Sequence, residues 1–208
     1  MKNESKGIYD VNTIAFFIML CVATLVLLIV KKTFIENATV AFEILAERGE
    51  MGVFHAINAL QYLTIPVVYL WKFVIIAFII WVGCFMYGYR ITYAQVWKVV
   101  LISESVFLIP EFLKICWFMF IETDPNIFMI REFYPLSLIN LADTSELSDQ
   151  YFYPLKALNV FEVAYWFVLV EGIHTMASKK KSIAYNIIFS SYVLFFFLWL
   201  GFYILVYK

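Results

Sequence analysis

Five mostly apolar stretches of this chain, each about twenty residues long, constrain its fold more than any other feature. They are Thr13 to Val30, Pro66 to Tyr87, Val99 to Ile121, Leu158 to Met176 and Ile183 to Val206. A bilayer core is roughly 30 Å thick and a helix rises about 1.5 Å per residue, so about twenty apolar residues make one crossing. In lipid every backbone N–H and C=O needs a partner within the protein, which leaves helices or a closed barrel. Continuous apolar runs without strict alternation select helices. The expected fold is therefore all-α: a single membrane domain over residues 1–208, built as a polytopic transmembrane bundle of about five spans. Composition agrees, with 64% hydrophobic and 15% charged residues against roughly 45–50% and about 25% in soluble domains. The first run lacks a small-residue cleavage pattern and is too long for a removable signal peptide, so it is expected to remain as an anchor.

The connections divide unequally. Residues 31–65 and 122–157 form two long links on one side, expected to be extracytoplasmic. Within the first, Glu36 to Tyr62 alternates charged and apolar residues at helical spacing, which predicts an interfacial helix pair broken at Gly49 and Gly52. Thr123 to Tyr153 carries Asp124, Glu132, Asp143, Glu146 and Asp149 among aromatics, and reads as a structured loop on the membrane surface. The opposite side has short links with Arg90, Lys98 and the Lys179-Lys180-Lys181 cluster, along with Lys2 and Lys6. Basic residues in short loops mark the cytoplasmic side, so the N-terminus is expected in the cytoplasm and the C-terminus outside, in a bacterial inner membrane.

Ionisable side chains inside spans are costly, at about 2.5–3.5 kcal/mol each near the centre, and each needs a partner or a purpose. Glu104, Glu111 and Lys114 lie on the third run, and Glu162, Glu171 and His174 on the fourth. These six are the candidate site residues. Lys72, on the second run, reads as close enough to its outer end to snorkel. Comparing depths on antiparallel helices groups Glu104 with Glu171 and His174 in an inner layer. Lys114 would then neutralise Glu111 or Glu162 further out. Glu171 and Glu104 would need a raised pKa, a charged His174, or a lysine from position 98 or the 179 cluster. Salt bridges joining two helices explain these charges structurally, a proton or ion site explains them functionally, and no substrate pathway is visible in the sequence. Pro110 should kink the third span beside Glu111, Asn159 reads as a helix N-cap or a helix-packing hydrogen bond, and Asn37-Ala38-Thr39 fits the glycosylation pattern.

Chemistry is hard to find. His55 and His174 are the only histidines and neither sits in a zinc arrangement. Cys21, Cys84 and Cys116 have no partner at metal or disulfide spacing. No nucleophile-elbow, Walker or dinucleotide motif is present. The chain is expected to be non-enzymatic and without cofactor or metal. With a net charge of -1 it offers no field for nucleic acid.

Several stretches resemble the Yip domain, a family of five-span membrane proteins. These are Tyr89-Arg90-Ile91-Thr92-Tyr93-Ala94-Gln95-Val96-Trp97 before a span containing Pro110, then Pro135-Leu136-Ser137-Leu138. The third is Leu158-Asn159-Val160-Phe161-Glu162-Val163-Ala164-Tyr165-Trp166 through Gly172-Ile173. The chain departs from the family in its Glu36 to Tyr62 region and at Glu162 and Glu171. The resemblance implies a five-helix bundle with its N-terminus inside, acting as a membrane adaptor or accessory subunit. The short Met1 to Asn12 tail carries over no GTPase partner. The expected function is a scaffold or accessory subunit of a transport or trafficking complex. Its partners would be the lipid bilayer and another integral membrane protein or a second copy. The alternative is a proton- or ion-coupled transporter or lipid-handling protein using the buried carboxylates.

Overall fold

The computed structural model describes residues 9–35, 51–122, 125–143, 147–177 and 180–207. Among them the chain is helical apart from links and one isolated antiparallel bridge, Ser137 to Asn159. The helices are α1 (Thr13–Phe34), α2 (Met51–Met86), α3 (Tyr93–Ser103), α4 (Leu108–Phe120), α5 (Ile127–Glu132), α6 (Asp149–Ala157), α7 (Val160–Ala177), α8 (Lys181–Ile188) and α9 (Leu194–Val206). A 3-10 turn, Glu104–Phe107, joins α3 to α4, and a π turn, Phe189–Val193, joins α8 to α9. Four helices are long and apolar enough to cross a membrane: Thr13–Phe34, Ala59–Met86, Val160–Ala177 and Lys181–Val206. The third expected run, Val99 to Ile121, is divided among α3, its 3-10 turn and α4 and is not one of these four helices.

Two of the expected helix starts are corrected. Residues 51–62, expected in a separate interfacial helix, are the first turns of α2, which continues through Pro66. The other part of that expectation, 36–50, including the Asn37 pattern and Gly49, lies outside the described residues, as do Lys2, Lys6, Asp124, Glu146 and Lys179. Helix α3 begins at Tyr93, six residues before the apolar run at Val99. Its N-cap Thr92 accepts from the Gln95 backbone N–H, and the Gln95 side chain accepts from the Thr92 N–H. This capping box satisfies two otherwise orphaned donors, so the helix starts in polar sequence. Upstream, α2 closes at Gly88, whose φ of 69° suits glycine, with Tyr89 N–H donating to the Cys84 carbonyl at 2.8 Å.

Paired contacts show neighbouring helices running antiparallel: Phe17 meets Phe73 and Thr24 meets Tyr69, Val99 meets Gly172 and Phe107 meets Tyr165, and Phe167 meets Tyr185 while Glu162 meets Tyr192. α3 packs between α2 and α7, α8 lies against α7 and α2, and α1 lies against α2, α3 and α4. The 87–92 link and Lys180 share one end of the bundle, where Tyr89 OH donates to the Lys180 carbonyl. We call this the near end. The far end holds the described parts of the connection from α4 to α7, in which α6 packs on α9. The core joins Phe73, Ile80, Cys84, Val96, Val99, Leu101, Tyr165, Leu169, Ile173, Ile187 and Ile188. In lipid this contact gains little from leaving water, so close van der Waals fit must carry it. Gly172 permits that fit, because a Cβ there would lie 2.3 Å from Val99 Cγ1.

Candidate functional site

The polar centre of the bundle is assembled from four elements. Lys72 on α2 reaches Glu104 at the start of the 3-10 turn, with Nζ donating to Oε1 at 2.6 Å. Glu104 is 3% exposed and Lys72 39%. The ammonium also lies 4.7 Å from the centroid of the Phe107 ring, a cation–π contact that holds it inward. On α7, Glu162 Oε1 accepts from Trp166 Nε1 and from Tyr192 OH, each at 2.9 Å. Tyr165 packs against Phe107 in a tilted contact and against Tyr192 edge-on, with ring centroids 5.1 and 5.4 Å away.

Backbone irregularity coincides with this cluster. Pro110 has no N–H to offer the Val106 carbonyl, and the turn before it tightens to a 3-10 form that carries Glu104. The irregularity thus falls one turn upstream of Glu111, as a 3-10 turn. Pro110 itself sits in the first turn of α4, where a missing donor costs little. Across the bundle Tyr192 lies in the π turn, where Ser190 and Ser191 hydroxyls donate back to Asn186 and Ile187 carbonyls. A Cβ on Gly83 would lie 2.8 Å from Ser191 Cβ, so α2 meets this turn closely. Helix α7 starts beside Glu162: Asn159 Oδ1 accepts from the Glu162 N–H at 2.8 Å, the N-cap role read from the sequence.

Depth separates the six candidate residues differently from the expected layers. Lys72 lies fourteen residues before Met86, about 21 Å from the near end, Glu104 eleven residues after Tyr93, about 16 Å, and Glu162 fifteen residues before Ala177, about 22 Å. Lys72 is held by Glu104 inside the bundle. It sits at mid-helix because α2 begins well before Pro66. Glu104 lies between the heights of Glu162 and Glu171, since Val99 meets Gly172 and Phe107 meets Tyr165, and its charge acts on Glu162. Glu171 is at the near end, 45% exposed, with its Oε2 2.7 Å from Lys181 Nζ, so the lysine cluster does reach it. His174 is half-buried at that same end. Lys114, 7% exposed, donates to the Phe133 carbonyl at 2.8 Å and ties α4 to the far connection. Glu111 is half-buried one turn before it.

Tyr134 in the far connection gathers the carboxylates. Burial first, and then the charges of Glu111, Glu162 and Glu104, hold its hydroxyl well above the usual tyrosine range. Beside it the backbone is anchored at both ends of a short extended pairing: Val160 N–H donates to the Leu136 carbonyl and Leu138 N–H to the Leu158 carbonyl. Leu136 holds φ at 53°, an unusual value for a leucine. Between this segment and α7 lies a cleft of about 280 Å³ walled by Leu136, Leu138, Val160, Val163 and Trp166, with Glu162 at its inner side. Among the described residues no three His, Cys, Asp or Glu side chains converge in a metal-holding group.

Lys72, Tyr165 and Tyr192 were not among the expected site residues. The Thr92-x-x-Gln95 pattern would have corrected the depth of Glu104. Nothing in the apolar run around Tyr192 distinguishes it from its aromatic neighbours. Searches of protein-family models, curated proteins and solved structures find no match to this chain.

Proposed function

We propose that this chain is a five-span integral membrane protein with its N-terminus in the cytoplasm, acting as a non-enzymatic scaffold or accessory subunit. In this reading α3, its 3-10 turn and α4 together make the third span. The basic residues Arg90, Lys98, Lys180 and Lys181, at or beside the near end, support its assignment to the cytoplasm. Membership of the Yip domain family, and an inner-membrane location, belong to the same proposal.

The observation that carries the scaffold reading is how little α1 buries. Of its 22 residues only Leu20 is buried, while Ile14, Ile18, Met19, Val22, Val26 and Ile29 stand exposed. Such a helix keeps its apolar face available for lipid or for helices of another protein or a second copy. A through path finds less support. Between the Lys72–Glu104 pair and the near end, Val96, Val99, Leu169, Val170, Ile173 and Ile187 are all fully buried, which leaves a dry apolar plug. Isolation of the full chain in mild detergent tests the proposal. A stoichiometric co-purifying membrane protein or a defined homo-oligomer is expected. A monodisperse single chain in several detergents and in lipid nanodiscs would overturn it.

A further inference from the structure

Among the described residues, Glu104, Glu111 and Glu162 all act on Tyr134 through their charges, and Lys72 is the cation that acts on Glu104 and Glu162. A buried carboxylate with no cation bound to it is costly where polarity is low. Lys72 is bound to Glu104. Glu162, 7% exposed, draws its described hydrogen bonds from two neutral donors, the Trp166 indole and the Tyr192 hydroxyl, and both go to one oxygen, Oε1. These donors favour the ionised form but bring no opposing charge, so a neutral acid can keep both bonds through its carbonyl oxygen.

Two further atoms point to the same place. Glu104 Oε2 and Tyr165 OH are both buried without a hydrogen-bond partner, and their residues are 3% and 0% exposed. Buried polar atoms of this kind are rare and call for a reason. They lie where the 3-10 turn, the π turn and the start of α7 meet, and such helix irregularities recur at functional sites. Access is one-sided. Glu162 lines the cleft at Leu136, Leu138, Val160 and Val163, while the apolar plug closes the opposite direction.

We propose that Glu162 is an internal proton-binding site, loaded through the far-side cleft, with Glu104 setting its affinity across Tyr165 and Tyr192. A proton from the far aqueous side joins the Glu162 carboxylate and makes it a neutral acid, and nothing else is transferred. The titratable and charged groups that act on it are Lys72 from α2, Glu104 from the 3-10 turn, Tyr134 from the connection, Tyr165 on α7 and Tyr192 on the π turn. Because access is one-sided, the site senses pH without conducting protons. It does not depend on the scaffold reading, since it requires no partner.

The test uses the full chain in lipid vesicles, with infrared difference spectroscopy following the C=O stretch of protonated carboxyl groups between about pH 5 and pH 9. The wild type should show a protonated-carboxyl band at neutral pH that disappears on alkalinisation. Glu162→Gln should abolish it and Glu171→Gln should leave it in place. Glu104→Gln removes the neighbouring negative charge and should lower the midpoint by about one unit, roughly tenfold in proton affinity. If Glu162→Gln does not fold, Tyr192→Phe decides the matter: losing a hydrogen bond to the ionised form should raise the midpoint. Absence of the band at neutral pH, its survival in Glu162→Gln, or an unmoved midpoint in Tyr192→Phe would overturn the proposal.

Discussion

Lys72 and Glu104, 32 positions apart on neighbouring helices, meet at 2.6 Å in the middle of the bundle, one 39% and the other 3% exposed. That asymmetry makes the pair's two halves unequal. Lys72→Met leaves a buried carboxylate without its cation and should cost about 3 kcal/mol or more. Glu104→Gln leaves a lysine that can turn outward along its stem, and should cost about 1 kcal/mol. The double variant Lys72→Met/Glu104→Gln should recover most of the larger loss. Thermal unfolding of all four proteins in one detergent checks this, and equal costs for the two single changes would contradict it.

Close helix contact at Gly172 gives a second expectation. Gly172→Ala puts a methyl group 2.3 Å from Val99 Cγ1, which the packed backbone relieves only by moving apart, at about 1–3 kcal/mol. Adding Val99→Ala should restore much of the loss. If Gly172→Ala unfolds at the wild-type temperature, the two helices are not in the described contact.

Leu136 holds φ at 53° and is 60% exposed. Replacing it with glycine removes the left-handed penalty of about 1 kcal/mol while losing little buried surface. Leu136→Gly should be neutral or stabilising, and Leu136→Val clearly destabilising, in the same melting assay.

Tyr9, just before α1, has its hydroxyl pushed up from 10.0 to about 12, by burial first and the Glu171 charge second. The folded chain thus keeps this proton at a pH where the unfolded chain has lost it. The associated stability is complete below about pH 10 and is lost as pH rises towards about 12. Tyr9→Phe should flatten that part of the stability profile, and Glu171→Gln should lower the Tyr9 midpoint in a phenolate absorbance titration. A profile unchanged by Tyr9→Phe would count against this burial.

The Glu171–Lys181 pair is half-exposed on both sides, and surface pairs contribute about 0–1 kcal/mol. Lys181→Ala should therefore shift the melting temperature far less than Lys72→Met. A comparable shift would mean that the near end is less open to solvent than described.

The apolar runs were legible because lipid imposes one simple rule, enough apolar residues in a row. Their ends were less so. Pro66 looked like a boundary, yet α2 passes through it, and the polar first turns of α3 were hidden because hydrophobicity alone ignores the capping bonds at Thr92 and Gln95. An error of six residues at a helix start is about 9 Å of depth, which suffices to move Glu104 from the level of Glu171 towards that of Glu162. Asn159 could be read correctly because an N-cap is a local arrangement within one turn.

By itself the sequence determined an all-helical chain with spans able to cross a bilayer, and a short roster of charges that must be reconciled within it. Tertiary structure alone decided which charges meet. Lys72 finds Glu104, Glu171 finds Lys181, and Glu162 settles between an indole and a phenol, because helix starts, one proline and two close glycine contacts set the relative heights of neighbouring helices. Hydrophobicity specifies that a segment is buried in lipid. It carries no information about sliding one helix past another, and that offset determines which buried groups are neighbours.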